Sequence, residues 1–171
     1  MGISMPSEQA NKPGIAVNKS NISIFEFSPE MSVGNETIDA DHKAFFELAK
    51  LLHYTLSGGE RGVIVLSSLA ILEEYVDGHF LREEKAMRKV SYSNFAEHRL
   101  KHNQFRARIK AISEVFQQGI TSAADDLPPL VVHWLRSHIA NEDQRYKRWI
   151  NNSAVDNRPL VYLAMEAEHE T

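Results

Sequence analysis

The chain reads as an all-α protein: an antiparallel up-down-up-down four-helix bundle with an N-terminal loop arm. Three observations predict this class. Four long stretches carry apolar side chains at helical spacing, and short joints rich in Gly, Ser and Pro separate them. Each stretch also sets histidine on its apolar stripe: His42, then His79, then His98 with His102, then His138.

Residues 1–20 are rich in Asn, Ser, Pro, Gly and Lys without sustained periodicity and are expected to form a flexible tail. From Ile22 to Val33, apolar residues broken by Ser28-Pro29-Glu30 suit an extended segment over one end of a core, before a turn at Gly34 and Asn35. The first helix is expected from about Ile38 to Leu56, capped by Thr37 or Asp39. Its stripe is Ile38, His42, Phe45, Phe46, Ala49, Leu52 and His53, stopped by Ser57-Gly58-Gly59.

The second helix spans about Val63 to Lys89, with Val65, Leu69, Leu72, Val76, His79, Phe80, Glu83 and Met87 on one side. Gly78 inside it costs about 1 kcal/mol against alanine, so close packing or a metal must compensate. The third runs from about Asn94 to Gln118, with Phe95, His98, His102, Phe105, Ile109, Ile112 and Phe116 in line and Gly119 at its end. After a joint at 121–129, where Asp126 can cap and Pro128 and Pro129 suit a first turn, the fourth carries Leu130, Trp134, Leu135, His138, Ile139 and Tyr146 to about Ile150. The bundle domain is therefore placed at 21–151. Residues 152–171 form a C-terminal extension, either docked or loose, with a short apolar run from Leu160 to Met165.

Composition narrows the chemistry. The 171 residues are 43% apolar and carry a net charge of -4, which gives no general attraction to nucleic acid or anionic lipid. The basic run Arg99, Lys101, Arg106, Arg108 and Lys110 interleaves with the apolar stripe of the third helix and reads as its solvated face. Cysteine is absent, so a bound metal must accept nitrogen and oxygen donors, as iron, zinc or manganese do. No stretch reaches the length of a spanning helix and no leader pattern opens the chain, so a cytoplasmic protein is expected, with any signalling output left to a separate partner chain.

Two histidine-led pairs at i, i+4, His79 with Glu83 and His98 with His102, stack their side chains on single helix faces. Five inner histidines and two acids, Glu83 and Asp143, facing one core would be several kcal/mol out of balance without a metal. Asp143 fits least well: at i+5 from His138 it falls about 140° around a straight helix. Taken alone it reads as an exposed acid beside Glu142 and Arg145. His53, His133 and His169 lie outside the pattern and suit packing or solvent.

His42, His79-x-x-x-Glu83, His98-x-x-x-His102 and His138-x-x-x-x-Asp143 together resemble the ligand signature of the hemerythrin family, in its bacterial branch. Flanking words agree: Val33-Gly34, Ile38-Asp39, Asp41-His42-Lys43, His79-Phe80, Glu83-Glu84, Met87, Trp134 and His138-Ile139. The match covers about 24–151. Phe27 in place of a tryptophan and Ser93 in place of a proline depart from it without touching a ligand.

That resemblance implies two iron ions per chain. His98, His102 and His138 would bind one and His42 and His79 the other, with Glu83, Asp143 and a solvent-derived oxygen bridging them. Twelve octahedral positions less eleven filled leaves one for a small diatomic on the His42/His79 iron. The implied function is reversible dioxygen binding for storage, delivery or sensing. The alternative is a di-iron enzyme that reduces peroxide or nitric oxide or oxidises ferrous iron. Five neutral imidazoles against two carboxylates favour binding, as do Phe46, Trp134 and Phe105 beside the ligands, which keep water and reductants away.

Overall fold

The computed structural model describes residues 23–59 and 62–169. Four long helical segments form the bundle: α1 (Glu36–Ser57), α2 (Val63–Lys89), α3 (Phe95–Gln117) and α4 (Leu127–His138), the last continuing through a π-helical turn (Ile139–Asp143) into α5 (Gln144–Tyr146). A further helix, α6 (Leu160–Glu168), follows. No strand occurs among the described residues, and no helix in them is long and apolar enough to cross a membrane. The tail expected at 1–20 lies outside the described residues.

The helices form where periodicity places them, with corrections at their ends. Asn35, not Thr37 or Asp39, caps α1: its side-chain oxygen accepts from the amides of Thr37 and Ile38, both at 3.1 Å. Asp39 instead accepts from the Val33 amide at 2.8 Å and from the Ser32 hydroxyl, tying the arm to the helix. Asp126 makes no side-chain cap, because residues 121–126 already form a 3-10 turn that leads straight into α4. The arm is not extended throughout: it coils into 3-10 turns at Ser23–Phe25 and Pro29–Met31. Arg136 holds it by donating to the carbonyls of Ile24 at 2.9 Å and of Ser23 and Glu26 at 3.0 Å.

α1 packs on α2 and α4, and α2 on α3 and α6. Phe45, Phe46, Leu69, Leu72, Phe80, Phe105, Ile109 and Leu135 meet in one apolar core around which the helices close. A second, smaller cluster of Val33, Ile38, Met87, Tyr92, Tyr146 and Val155 joins the start of α1 and the end of α2 to the C-terminal segment. Polar histidines and acids occupy the layer between these two apolar bodies.

The C-terminal residues are docked. Gly78 makes the docking possible: a Cβ built on it would lie 2.6 Å from the carbonyl oxygen of Leu160. Close packing therefore compensates for the helix propensity that this glycine forgoes.

Candidate metal centre

All seven residues singled out from the sequence converge in that polar layer. His42, Glu83, His102 and Asp143 are fully buried, and His79, His98 and His138 nearly so. α2 delivers His79 and Glu83 from consecutive turns, and α3 does the same for His98 and His102. His138 and Asp143 reach the site because the chain between them is π-helical. Its i→i+5 hydrogen bonding lays residue 143 back over residue 138, which a straight α-helix would not do. His138 Nε2 ends 3.1 Å from Asp143 Oδ1, and Asp143 is not the exposed acid that its neighbours suggest.

Two carboxylates stand between two sets of imidazoles. Glu83 turns Oε1 toward His42 and His79, at 3.7 and 3.6 Å, and Oε2 toward His98 and His102, at 3.5 and 3.3 Å. Asp143 turns Oδ2 toward His42 at 3.4 Å and Oδ1 toward His98 and His138 at 3.5 and 3.1 Å. Glu83 Oε2, both Asp143 oxygens and both His42 nitrogens lack a hydrogen-bond partner although buried. Such orphaned atoms are costly unless a cation accepts their lone pairs.

Three of the other imidazoles test which cation fits. Nε2 of His98, His102 and His138 form a triangle with edges of 3.0, 3.1 and 3.1 Å. For metal–nitrogen bonds of about 2.1 Å, cis ligands of an octahedral ion lie about 3.0 Å apart and those of a tetrahedral ion about 3.4 Å. The triangle matches one face of an octahedron, as iron or manganese would take, more closely than a face of a tetrahedron.

The metal-free electrostatics follow from this crowding. Burial pushes the Glu83 and Asp143 carboxyls up, but the facing imidazoles prevail and hold both below the ordinary range. Burial presses on the His42 and His98 imidazolium ions, yet the adjoining carboxylates raise both above the usual histidine value. His102 goes the other way, because burial outweighs its acidic partners.

Three supporting residues, Asp41, Glu84 and Tyr146, take roles that helical spacing does not show, although Tyr146 lies on the stripe of the fourth helix and Asp41 and Glu84 adjoin His42 and Glu83. Glu84 Oε1 lies 2.9 Å from His102 Nδ1, and Asp41 Oδ2 lies 3.2 Å from His79 Nδ1. Carboxylates in that position orient a ligand ring and leave its Nε2 facing inward. The buried Tyr146 hydroxyl donates to Glu83 Oε1, and burial raises this phenol well above its ordinary pKa.

Two members of the basic run on α3, Arg99 and Arg106, serve one of these supports, Glu84. Arg106 bonds Asp77 at 2.9 Å and Glu84 at 3.2 Å, and Lys101 bonds Glu142. An aromatic wall closes the side of the three-histidine set. Phe80 stacks on His102 with centroids 3.8 Å apart, Trp134 on His138 at 4.2 Å, and Phe105 on Trp134 at 4.0 Å. Of the histidines outside the pattern, His53 stacks on Phe25 at 5.1 Å, while His133 and His169 are exposed.

Fold and site together define a helical-bundle protein that binds metal through nitrogen and oxygen donors. The model of the Hemerythrin HHE cation binding domain matches residues 33–150, and the chain belongs to the hemerythrin family. It is 32% identical over 127 residues to a bacteriohemerythrin of Pseudomonas paraeruginosa, covering 72% of this chain and 80% of that protein. A bacteriohemerythrin of Methylococcus capsulatus is 32% identical over 108 residues, 63% of this chain and 82% of that one. A solved crystal structure of a leucine-to-phenylalanine mutant superposes with a TM-score of 0.62 at 29% identity, covering 66% of this chain and 85% of its own.

Proposed function

We propose that His98, His102 and His138 hold one iron and His42 and His79 a second, that Glu83 and Asp143 each give one oxygen to either ion, and that the protein binds dioxygen reversibly. The observation that carries this reading is the division of each buried carboxylate, one oxygen toward each imidazole set. Iron held by these residues would supply the electrons that bound dioxygen takes up.

The chain's own residues do the rest. Asp41 and Glu84 orient His79 and His102 from behind. Tyr146 keeps its proton and donates a hydrogen bond to Glu83, which fixes the rotation of that carboxylate. Phe80, Phe105 and Trp134 exclude water from the three-histidine side. A ligand set dominated by imidazole, inside an apolar wall, favours holding oxygen over cleaving it.

Mixing the reduced, iron-loaded protein with oxygen in a stopped-flow spectrophotometer tests this reading. Colour is expected to develop in oxygen and to fade under vacuum, with the oxygen recovered. Sustained consumption of oxygen or peroxide with a reductant, over many turnovers per site, would instead make the protein an enzyme.

A further inference from the structure

Among the described residues, Arg82 is the one buried arginine, and its guanidinium looks outward from the site rather than into it. A buried guanidinium must place its N–H groups on acceptors, and Arg82 uses three atoms to do so. Nε donates to the carbonyl of Asp156 at 2.8 Å, Nη2 to the carbonyl of Arg158, and Nη1 to Oδ2 of Asp41. That same oxygen faces His79 Nδ1. A continuous polar chain thus runs from two backbone carbonyls of the C-terminal segment, through Arg82 and Asp41, to a histidine of the metal centre.

The outer end of this chain is anchored independently of the centre. Leu160 sits against Gly78, Leu163 is fully buried, and Lys85 bridges Glu166 at 2.7 Å and Asp156 at 3.3 Å. The segment lies beyond the residues that the family match covers. The two sides of the centre therefore differ. Glu84, behind His102, is steadied by arginines of α3, whereas Asp41, behind His79, is held by Arg82 of α2, whose other donors reach the C-terminal segment.

We propose that residues 152–169 are a positioning element for the metal centre, acting through Arg82 and Asp41 to hold the His79 ring with Nε2 toward Glu83. Arg82 and Asp41 are positioning residues and touch no metal. This inference rests on His79 being a ligand, as proposed above. The planar fork of arginine is needed, because it reaches two carbonyls and a carboxylate at once. Coupling of this kind is reciprocal: metal held at His79 also secures the docked segment.

The test is an anaerobic titration of the full-length, metal-free protein with ferrous iron, with amide hydrogen exchange followed at residues 160–168. Wild type is expected to take two equivalents and to slow exchange in α6 as the second binds. Arg82→Met should weaken the second equivalent about 10- to 100-fold, leave the first unchanged and abolish the effect of iron on α6. Asp41→Asn preserves shape and the bonds from Arg82 to the carbonyls, so it should weaken the second equivalent alike while α6 in the metal-free protein exchanges as in wild type. Unchanged second-equivalent affinity in both variants overturns the proposal, and so does equal weakening of both equivalents, which would mark general loosening of the bundle. A wild type that takes up fewer than two irons removes the ligand assignment itself, and with it this inference.

Discussion

His138 Nε2 and Asp143 Oδ1 stand 3.1 Å apart although five residues separate them, because the helix carrying both opens into a single π turn. That irregularity lets one helix offer an imidazole to one side of the centre and a carboxylate to both. π turns are rare and frequent at functional sites, and here the turn sets the position of the Asp143 carboxylate.

Metal should contribute a large part of the stability. Metal-free protein buries orphaned oxygens on Glu83 and Asp143, whereas binding to the folded state alone adds about 2.7 kcal/mol per site at one hundred times Kd. For a chain of this length that corresponds to roughly 5–10 °C per site. Calorimetry of the two forms checks this, and equal melting temperatures would contradict a shared buried site.

Tyr146→Phe should lower stability by about 1–3 kcal/mol, since it leaves Glu83 Oε1 without its buried donor. Iron content should be retained, because the phenol supplies no ligand, while the optical bands of the loaded protein shift. Unaltered bands together with unaltered melting would show the hydrogen bond to be inconsequential.

Gly78→Ala sets two effects against each other. Alanine improves helix propensity by about 1 kcal/mol, but its methyl group would meet the backbone oxygen of Leu160 at 2.6 Å. Overpacking against backbone costs about 1–3 kcal/mol, so net destabilisation is expected, with faster amide exchange in α6. A more stable variant would show that the docking of α6 is looser than its geometry.

Much of the centre was legible because helical spacing is local. The pairs His79 with Glu83 and His98 with His102 need only an α-helix to face one way. The support of His79 by Asp41, of His102 by Glu84 and of Glu83 by Tyr146 depends on which helices face each other, and spacing along one helix does not carry that. Ideal geometry left Asp143 off the line of His138, because a π turn adds one residue without a local signature in Ile139-Ala140-Asn141-Glu142. Docking of the C-terminal segment had two sequence signals, the apolar run from Leu160 to Met165 and the helix-interior Gly78. The cause of that glycine became visible only with Leu160 beside it.

Acid should release α6. Arg158 chiefly holds Asp156, and Lys85 chiefly holds Glu166, below the ordinary carboxylate range. Depressed folded values mean that the contribution is full above the unfolded values near 4 and is lost as the pH falls below them. These pairs are partly exposed, so the effect is modest and salt should weaken it too. Protection of the amides at residues 160–168 in metal-free protein, measured against the intrinsic exchange rate at each pH, should fall below about pH 4. Protection that falls instead as the pH rises from 4 to 7 would reverse the assigned sign.

The most direct test of the account is the metal content of full-length protein expressed with iron supplied. Seven buried nitrogen- and oxygen-bearing side chains, arranged as two imidazole sets about two carboxylates, lead the proposed function to predict two irons per chain. One zinc per chain, or none of either metal, would contradict it.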